Sequence, residues 1–378
     1  MKCLIDEELI RREFPVLQDT TWFATGIVGI MPKSAAKNLA DAIMKFETEV
    51  YSRYQEVEEA VKILRGKIAS LISAVNPTDI CFTRNATEGI TIALSNIDLN
   101  PDDEILTSDQ EHEALMYPLN HINKSGMAKV KKFKISKEPK DTLQSVKEQI
   151  SHRTKLLASS HISCQTGIRL PVKEMGKIAR EIGAYVLFDG AQTVGNIDVN
   201  VRDYSCDFYI CNGHKWLCGP KGTSFLYINP ESTLEPSPRF LALGNFSEDP
   251  KVRCCATRFE YGTRGKVILM GLLAVLELYE EWNWLMKAGR IKELSSYFKE
   301  NLHTIHKCII HTSDDWEKSS GNTSFTMDGY QWNQVSEHLK ERNIIVRGVP
   351  DINSIRISTN YYNNYDEIDK LIEALNVL

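Results

Sequence analysis

The feature that most constrains the fold is an alternation of short apolar runs with amphipathic stretches between residues 75 and 230. Short apolar runs bounded by turn residues are typical of buried strands, and amphipathic stretches between them are typical of helices. Strands and helices that alternate in this way build a mostly parallel sheet. We therefore predict an α/β fold with strands near residues 80–83, 104–107, 155–159, 185–188, 208–210 and 223–228.

The length of the chain and a change of pattern near Gly265 indicate more than one structural unit. A chain of 378 residues is too long for one ordinary small domain, so it forms either one large and one smaller domain or a single elaborated α/β domain. After Gly265 a long helical stretch is followed by short strands and helices, which is typical of an α+β unit. We predict an N-terminal arm over residues 1–20, a large domain over residues 21–265 and a small domain over residues 266–378.

The charge and the apolar pattern argue against several classes of protein. A net charge of −5 gives no overall positive field for a nucleic acid. Nowhere do about 18 apolar residues run together, as a membrane span requires. Acidic residues also interrupt the first apolar stretch, unlike those of a secretory signal. We therefore expect a cytoplasmic protein whose partner is a small molecule, not a nucleic acid or a membrane.

The nine cysteines show no paired metal-ligand spacing, and their odd number fits reduced thiols. The adjacent Cys254 and Cys255 would allow a redox pair, although burial as small apolar side chains is the commoner fate of free cysteines. We expect reduced thiols and no metal ion.

An acidic residue ends one of the apolar runs. Residues 188–192 read FDGAQ, so Asp189 falls where a predicted strand ends. Open α/β sheets bind ligands at the carboxyl ends of their strands, which favours an Asp189 that faces a ligand. An Asp at this position can instead cap the turn that follows.

A lysine with apolar neighbours follows the next predicted strand. Lys215 lies in NGHKW at residues 212–216, and the turn GPKG follows at residues 219–222. A desolvated lysine with a lowered pKa suits Schiff-base chemistry. Most lysines lie in water, so a surface position is the alternative.

Together these segments resemble one known family. FDGAQ followed by NGHKW and GPKG is similar to pyridoxal phosphate (PLP) enzymes of fold type I, specifically the class V aminotransferase family. That family includes cysteine desulfurases, cystine C–S lyases and isopenicillin N epimerase-like proteins. The resemblance implies a mostly parallel central sheet with helices on both faces, a small α+β C-terminal domain, an amino acid substrate, and PLP held by Lys215 as a Schiff base.

The resemblance also implies roles for residues around the cofactor ring. Asp189 would keep the pyridine nitrogen protonated, and Gln192 would bond the phenolic oxygen. His112, in the segment EHEA, would stack on the ring and is a candidate proton carrier. Lys215, once displaced by the substrate amine, would be the base that takes the α-proton. A histidine at a strand end is otherwise usually a surface or hydrogen-bonding residue.

The phosphate of PLP would lie at a helix start. Residues 83–88, TRNATE, follow a predicted strand and open a helix, so free backbone N–H groups at Ala86 and Thr87 and the Thr87 hydroxyl would receive a dianion. A simple N-cap by Thr87 is the alternative. The resemblance places Asn212 and His214 beside the phosphate as well.

Two further segments extend the resemblance to a partner subunit and to the substrate. In RFEYGT, residues 258–263, Thr263 would reach the phosphate of the neighbouring subunit, which implies a homodimer with active sites at the subunit interface. In IRIS, residues 355–358, Arg356 would bind the substrate's α-carboxylate, because a guanidinium fits a planar carboxylate at two points. A surface strand arginine is the alternative.

The reaction stays open among β-elimination, epimerisation and transamination. Cysteine desulfurases have a nucleophilic cysteine on the loop before the arginine strand, whereas residues 346–351, VRGVPD, contain none, which argues against a persulfide relay. HKWLCGP resembles the C–S lyases, and YGTR resembles the epimerase-like proteins. We predict C–S bond cleavage on a sulfur-containing amino acid, with an epimerase or aminotransferase as the alternative.

Cys164, in the segment SCQTG, lies where relatives place a residue near the ring, but a catalytic thiol there needs a lowered pKa. A PLP-fold binding protein without turnover is the non-enzyme alternative, and Lys215, Asp189 and His112 together argue against it. A nicotinamide dehydrogenase is disfavoured, because no GxGxxG follows a predicted strand with an acidic residue downstream.

Overall fold

A computed structural model describes residues 7–232 and 255–378, and its largest unit is a seven-stranded sheet. The strands are β2 (Ile80–Thr83), β3 (Glu104–Ser108), β4 (Lys129–Phe133), β5 (Thr154–Ser160), β6 (Tyr185–Asp189), β7 (Phe208–Asn212) and β8 (Ser224–Ile228). Their spatial order is β2-β8-β7-β6-β5-β3-β4. Neighbouring strands run parallel except at β8, which is antiparallel to both β7 and β2. The predicted mostly parallel α/β sheet is confirmed.

The strands differ in burial according to their place in the sheet. Every residue of β7 and β8 is buried, which explains why these segments are apolar on both faces. β4 was not predicted, because its sequence KVKKF has three lysines and only its last residue is buried. It lies at the edge of the sheet, where lysines discourage pairing with another chain.

Helices cover the sheet and connect its strands. They are α1 (Glu7–Arg12), α2 (Lys33–Thr48), α3 (Val50–Leu71), α4 (Ala86–Ser95), α5 (Glu113–Lys124), α6 (Pro139–Gln149) and α7 (Val172–Glu181). The last of these is the crossover helix between β5 and β6, with Val172, Met175 and Ala179 buried on one face.

The C-terminal part begins with two long helices, α8 (Val267–Glu281) and α9 (Trp284–Leu302). The sequence predicted one helical stretch, but Asn283, with a φ of 58°, separates the two helices. A second sheet follows, of β9 (Cys308–Ile310), β10 (Asn322–Met327), β12 (Arg347–Val349) and β13 (Ser354–Ser358), together with α10 (Trp332–Lys340) and α11 (Tyr365–Asn376). The order of this antiparallel sheet is β12-β13-β10-β9.

The N-terminal segment packs against the C-terminal part. β1 (Thr21–Trp22) pairs in parallel with β11 (Ile344–Ile345). Phe23 belongs to the apolar cluster of the second sheet, and the ring of Phe14 lies 4.9 Å from that of Tyr362. Residues 14–23, which precede the large sheet in sequence, are therefore held against the C-terminal part of the fold.

The described part of the chain contains neither a candidate membrane-spanning helix nor a candidate metal-binding cluster. No helix there is both long enough and apolar enough to span a membrane. Within the same residues, no group of three or more His, Cys, Asp or Glu side chains is arranged to hold a metal ion.

Candidate active site

A cavity of about 450 Å³ opens at the carboxyl ends of the parallel strands, with β12 and β13 on its other side. This is where open α/β sheets bind ligands. Nine of the ten predicted site residues line it: Ala86, Thr87, His112, Asp189, Gln192, Asn212, His214, Lys215 and Arg356. Segments far apart in sequence thus meet around one space.

Asp189 and Lys215 lie at the ends of neighbouring strands. Asp189 is the last residue of β6, and its Oδ1 accepts a hydrogen bond from the Ala191 N–H at 2.8 Å. The carboxylate therefore caps the next turn and lines the cavity as well. Lys215 follows β7 and is half-buried. Burial lowers the pKa of its amine, an effect that Asp189 opposes and Arg356 reinforces.

The turn that contains Lys215 is held against the N-terminal segment by a close backbone contact. Gly29 donates its N–H to the His214 carbonyl at 2.8 Å. A Cβ at Gly29 would lie only 2.0 Å from the Lys215 carbonyl oxygen, so no larger residue fits there. The Lys215 carbonyl also accepts a hydrogen bond from the Cys218 N–H at 3.0 Å. The backbone around Lys215 is thus fixed before any ligand binds.

Gln192 is buried, and hydrogen bonds fix its orientation. Its Oε1 accepts from Trp216 Nε1 at 2.8 Å and from Asn322 Nδ2 at 3.2 Å. Its Nε2 donates to the Gly26 carbonyl at 2.8 Å. The amide nitrogen has a second N–H, which suits the predicted contact with an oxygen on the cofactor ring.

The start of α4 differs from the prediction in two respects. Asn85 is the N-cap, not Thr87: its Oδ1 accepts from the Glu88 N–H at 2.9 Å. The Ala86 N–H is not free, because it donates to Asn212 Oδ1 at 3.0 Å. Thr87 is exposed and lines the cavity. An anion at this helix start would therefore meet Thr87 and the positive end of the helix dipole, with Asn212 holding the first turn.

Both cavity histidines have a lowered pKa, because burial disfavours their charged forms. His112 is the N-cap of α5, and its Nδ1 accepts from the Ala114 N–H at 3.1 Å. The neutral ring that makes this hydrogen bond has its proton on Nε2. Nδ1 of His214 lies 3.4 Å from the Thr223 carbonyl. Stacking by His112 stays a prediction.

Glu111 is a buried carboxyl in the segment EHEA, for which the sequence predicts no role. Both of its oxygens accept from the Ser160 N–H at 3.0 Å, and the Ser108 hydroxyl donates to Oε1. Burial raises the pKa of Glu111 to about 7, although these hydrogen bonds oppose the rise. Glu111 thereby joins the ends of β3 and β5 directly beside His112.

Arg356 is buried on β13, so the surface alternative is wrong. Its Nη1 donates to the Cys164 carbonyl, while its Nε is buried without a hydrogen-bond partner among the described residues. Burial lowers the pKa of Arg356 to about 10. Arg347 on β12 lies opposite Arg356 in register and also lines the cavity. The sequence did not single out Arg347, because no motif marks it.

The loop after Arg347 and the turn that contains Cys164 close the cavity between them. Gln165 Nε2 donates to Asp351 Oδ2 at 3.2 Å across this boundary. Burial raises the pKa of Cys164 to about 11, so this thiol is protonated at neutral pH. Residues 347–351 all line the cavity and include no cysteine.

Thr263 is the predicted site residue that does not reach this cavity. It lines a separate depression with Phe82, Glu260 and Arg264. Its predicted contact is with a neighbouring subunit, so that assignment stays a prediction. Cys254 and the first six residues of the predicted arm lie outside the described residues.

The residues present fit PLP. The cofactor needs an anion site, an amine, a carboxylate for its pyridine nitrogen and donors for its ring oxygen. Thr87 with the start of α4, Lys215, Asp189 and Gln192 offer these groups around one cavity. Arg356 Nε, a buried donor without a partner in the described part of the chain, would be satisfied by an anionic ligand.

The fold and this cavity define a PLP-dependent enzyme of fold type I. The sequence pattern of the aminotransferase class-V family matches residues 33–371, and the chain belongs to that family. The family and cofactor indicated by the sequence are thereby confirmed.

Similar proteins are named as enzymes of sulfur amino acids. The chain is 27% identical to a probable cysteine desulfurase of Methanothermobacter thermautotrophicus, over 97% of each chain. It is 25% identical to a cysteine desulfurase of Haloferax volcanii, over 98% of this chain and 96% of the other. The solved complex of the cystine C–S lyase C-DES with its product cysteine persulfide has a TM-score of 0.87 and 25% identity, and the match covers 96% of this chain and 99% of the other. A lysine variant of C-DES, with glycine linked covalently to its PLP cofactor, has the same TM-score and identity, over 97% of this chain and 98% of the other.

Proposed function

We propose that this enzyme cleaves the C–S bond of a sulfur-containing amino acid by β-elimination, with PLP as its cofactor. The observation that carries the proposal is the meeting of the Lys215 amine, the Asp189 carboxylate and the Arg356 guanidinium around one cavity. The names of its relatives, cysteine desulfurases and a cystine C–S lyase, support a substrate of this class.

Bound PLP supplies an electron sink for the bond that breaks at the substrate's α-carbon. Around it, each residue has a role that its environment supports. Asp189 would balance a protonated ring nitrogen, and Gln192, whose orientation is fixed by its own hydrogen bonds, would donate to the ring oxygen. Arg356 binds the α-carboxylate, because its buried guanidinium has an unpartnered donor. His112, which lines the same cavity, would stack on the cofactor ring.

Lys215 is the base that takes the α-proton. Because burial lowers the pKa of its amine, more of the neutral, proton-accepting form is present near neutral pH than for a lysine in water. The Cβ–S bond then breaks with its electron pair on sulfur. The protonated Lys215 and Arg356 supply positive charge near the departing anion.

The sulfur product is released rather than passed to a protein thiol. Residues 347–351, at the place where a desulfurase loop would present its cysteine, include no thiol. Cys164 is the only cysteine among the described residues that line the cavity, and its raised pKa keeps it protonated. Neither group supports a persulfide relay.

The same proposal includes a homodimer in the cytoplasm, with Thr263 at the phosphate of the neighbouring subunit. The position of Thr263 outside its own chain's cavity is compatible with a contact to a second chain. The division into an arm, a large domain over residues 21–265 and a small domain over residues 266–378 also stays a proposal.

The test is a product panel. The purified protein with PLP is incubated with cystine, cysteine and sulfur-free amino acids, and sulfide or persulfide, pyruvate, ammonia, α-proton exchange and keto acid are measured. Pyruvate and ammonia in equal amounts, with reduced sulfur, would support the proposal. Racemised substrate would show an epimerase, a keto acid that retains the side chain would show an aminotransferase, and no turnover of any substrate would leave a binding protein.

A further inference from the structure

The turn that contains Lys215 receives two hydrogen bonds from the long C-terminal helices. Lys287 on α9 donates from Nζ to the Trp216 carbonyl at 2.8 Å. Tyr279 on α8 donates from its hydroxyl to the Leu217 carbonyl at 2.9 Å. The two carbonyls that follow the cofactor lysine are thus satisfied by side chains from a different part of the fold.

Lys287 lies in an unusual place for a lysine. It is 5% exposed, and its Nζ lies 4.1 Å from the centre of the Tyr279 ring and 4.7 Å from that of Tyr361. The ring faces favour a cation there. Burial nevertheless lowers the pKa of Lys287 to about 7, an effect that the neighbouring Cys218 opposes. An amine is costly to bury, and here it donates to the backbone carbonyl of the residue that follows Lys215.

Trp216 connects this amine to two cofactor-facing residues. It directly follows Lys215, and its indole Nε1 donates to Gln192 Oε1 at 2.8 Å. Its ring is completely buried. A rotation of the Trp216 backbone would therefore change both the origin of the Lys215 side chain and the hydrogen bond that orients Gln192.

We propose that Lys287 is a positioning residue for the active site, which holds Lys215 and Gln192 in place by fixing the carbonyl of Trp216. This inference rests on the assignment of Lys215 as the cofactor lysine. Without the Lys287 donor, the buried carbonyl of Trp216 would be left with the weaker Cys218 Sγ donor at 3.8 Å, and the turn would be held less firmly. A shift of about 1 Å at a reacting group can lower a rate by roughly 10²-fold.

A matched control lies on the same helix. Lys299 on α9 is 2% exposed and donates from Nζ to the carbonyls of Ser313 and Asp314 and to the hydroxyl of Ser319. It is thus a second buried amine with backbone acceptors, but none of its acceptors adjoins a cavity-lining residue in sequence, as Trp216 adjoins Lys215. Lys287→Met and Lys299→Met remove a charge and donor of the same kind and keep a similar side-chain length.

The first measurement uses the cofactor-free protein, so it does not depend on the reaction. Hydrogen exchange is measured for the backbone amides of residues 216–219. In Lys287→Met we expect exchange at least about tenfold faster than in the wild type, because the turn opens more readily. In Lys299→Met we expect exchange within about twofold of the wild type for the same amides.

The second measurement uses the PLP-loaded protein and follows the visible absorbance of the cofactor against pH. The charged and titratable groups that interact with the Lys215 amine include Asp189, Arg356, Cys164, Arg347, His112 and His214. Lys287→Met removes none of them, so a changed midpoint would report a displaced amine. We expect a shift of at least about 0.5 pH unit and a fall in kcat of about 10- to 100-fold, with KM within about threefold because Arg356 is not moved.

The inference is overturned if a folded Lys287→Met protein has the exchange rates and the absorbance midpoint of the wild type. It is also overturned if Lys299→Met changes both quantities equally, because the effect would then be a general loss of stability. If Lys287→Met does not fold, Lys287→Gln, which retains a shorter donor, is judged by the same two criteria. Failure of the proposed C–S cleavage would appear in the product panel and leave the exchange result unaffected.

Discussion

The two walls of the cavity satisfy their polar groups differently. In the strand-end wall, formed by His112, Asp189, Gln192 and Asn212, every one of these side chains already makes a hydrogen bond within the protein. In the opposite wall, formed by Arg347 and Arg356 on the second sheet, two like charges face each other in register. The first wall is organised before a ligand binds, whereas the second retains positive charge that no carboxylate of residues 7–232 or 255–378 pairs with, and this charge suits an anion.

This difference suggests that the strand-end wall binds the cofactor and the opposite wall binds the substrate. Groups fixed by internal hydrogen bonds suit a resident cofactor, because they cost no reorganisation during reaction. A guanidinium with an unsatisfied buried Nε suits a substrate that arrives and leaves. Substitutions in the strand-end wall should therefore affect kcat, and substitutions in the opposite wall should affect KM.

The largest expected effect is from Lys215→Ala. Removal of the base should lower kcat by about 10³-fold or more, and the cofactor's visible absorbance should change in the same variant. Steady-state kinetics and a spectrum check both. The matched control is Lys177→Ala, which changes an exposed lysine on α7 and should leave both readouts unchanged. Comparable activity in the two variants would refute the role of Lys215.

Asp189→Asn should have the next largest effect. Loss of the charge opposite the ring nitrogen should lower kcat by about 10²-fold, while KM changes little. The control is Asp203→Asn, whose carboxylate pairs with Lys173 on the surface. An increase in KM with an unchanged kcat would contradict the assignment of Asp189 to the cofactor side.

The two arginines of the opposite wall should differ in size of effect. Arg356→Ala removes a buried charged donor, worth about 1.5–3 kcal/mol, so KM should rise about 10- to 100-fold. Arg347 is exposed, so Arg347→Ala should raise KM only a few-fold. Kinetics with one substrate measure both. A larger effect at Arg347 than at Arg356 would mean that the carboxylate site lies nearer β12.

The smallest expected effect is on stability, at Glu111, which lines the cavity next to His112 of the strand-end wall. Its pKa is about 7 in the folded chain, above the ordinary 4.5, because burial disfavours the charged form. The folded state therefore binds more protons than the unfolded state between these values, and stability falls as pH rises through this window. Glu111→Gln should remove this fall, on the order of 3 kcal/mol, from the cofactor-free protein.

Denaturant unfolding of the wild type and Glu111→Gln at pH 4.5 and at pH 7.5 measures that difference directly. The two stabilities should diverge as the pH rises, in favour of the variant. A constant difference across this range would show that Glu111 does not titrate within it.

The residues of the strand-end wall could be predicted from sequence, because each lies at or shortly after the end of an apolar run that the sequence shows directly. Asp189 ends β6, and Lys215 follows β7. The opposite wall could be predicted only in part. Arg356 was found through a family motif. Arg347 lines the cavity because β12 pairs with β13, and the register of two strands cannot be predicted from local composition.

Other features were hidden for different physical reasons. The helical stretch after Gly265 has no Gly or Pro at its break, and Asn283 takes up a positive φ that asparagine tolerates better than most residues. β4 has the lysines of an edge strand and so lacks an apolar signal. Lys287 is polar in a helix, and only the packed fold shows that it is buried.

The central claim is that the Lys215 amine holds the cofactor in the cavity beside Asp189. The direct test is borohydride reduction of the PLP-loaded protein, followed by digestion and mass spectrometry of the peptides. We expect the pyridoxyl label on the peptide that contains Lys215, in nearly every chain. A label on Lys221 or Lys287, with the Lys215 residue unmodified, would contradict the account.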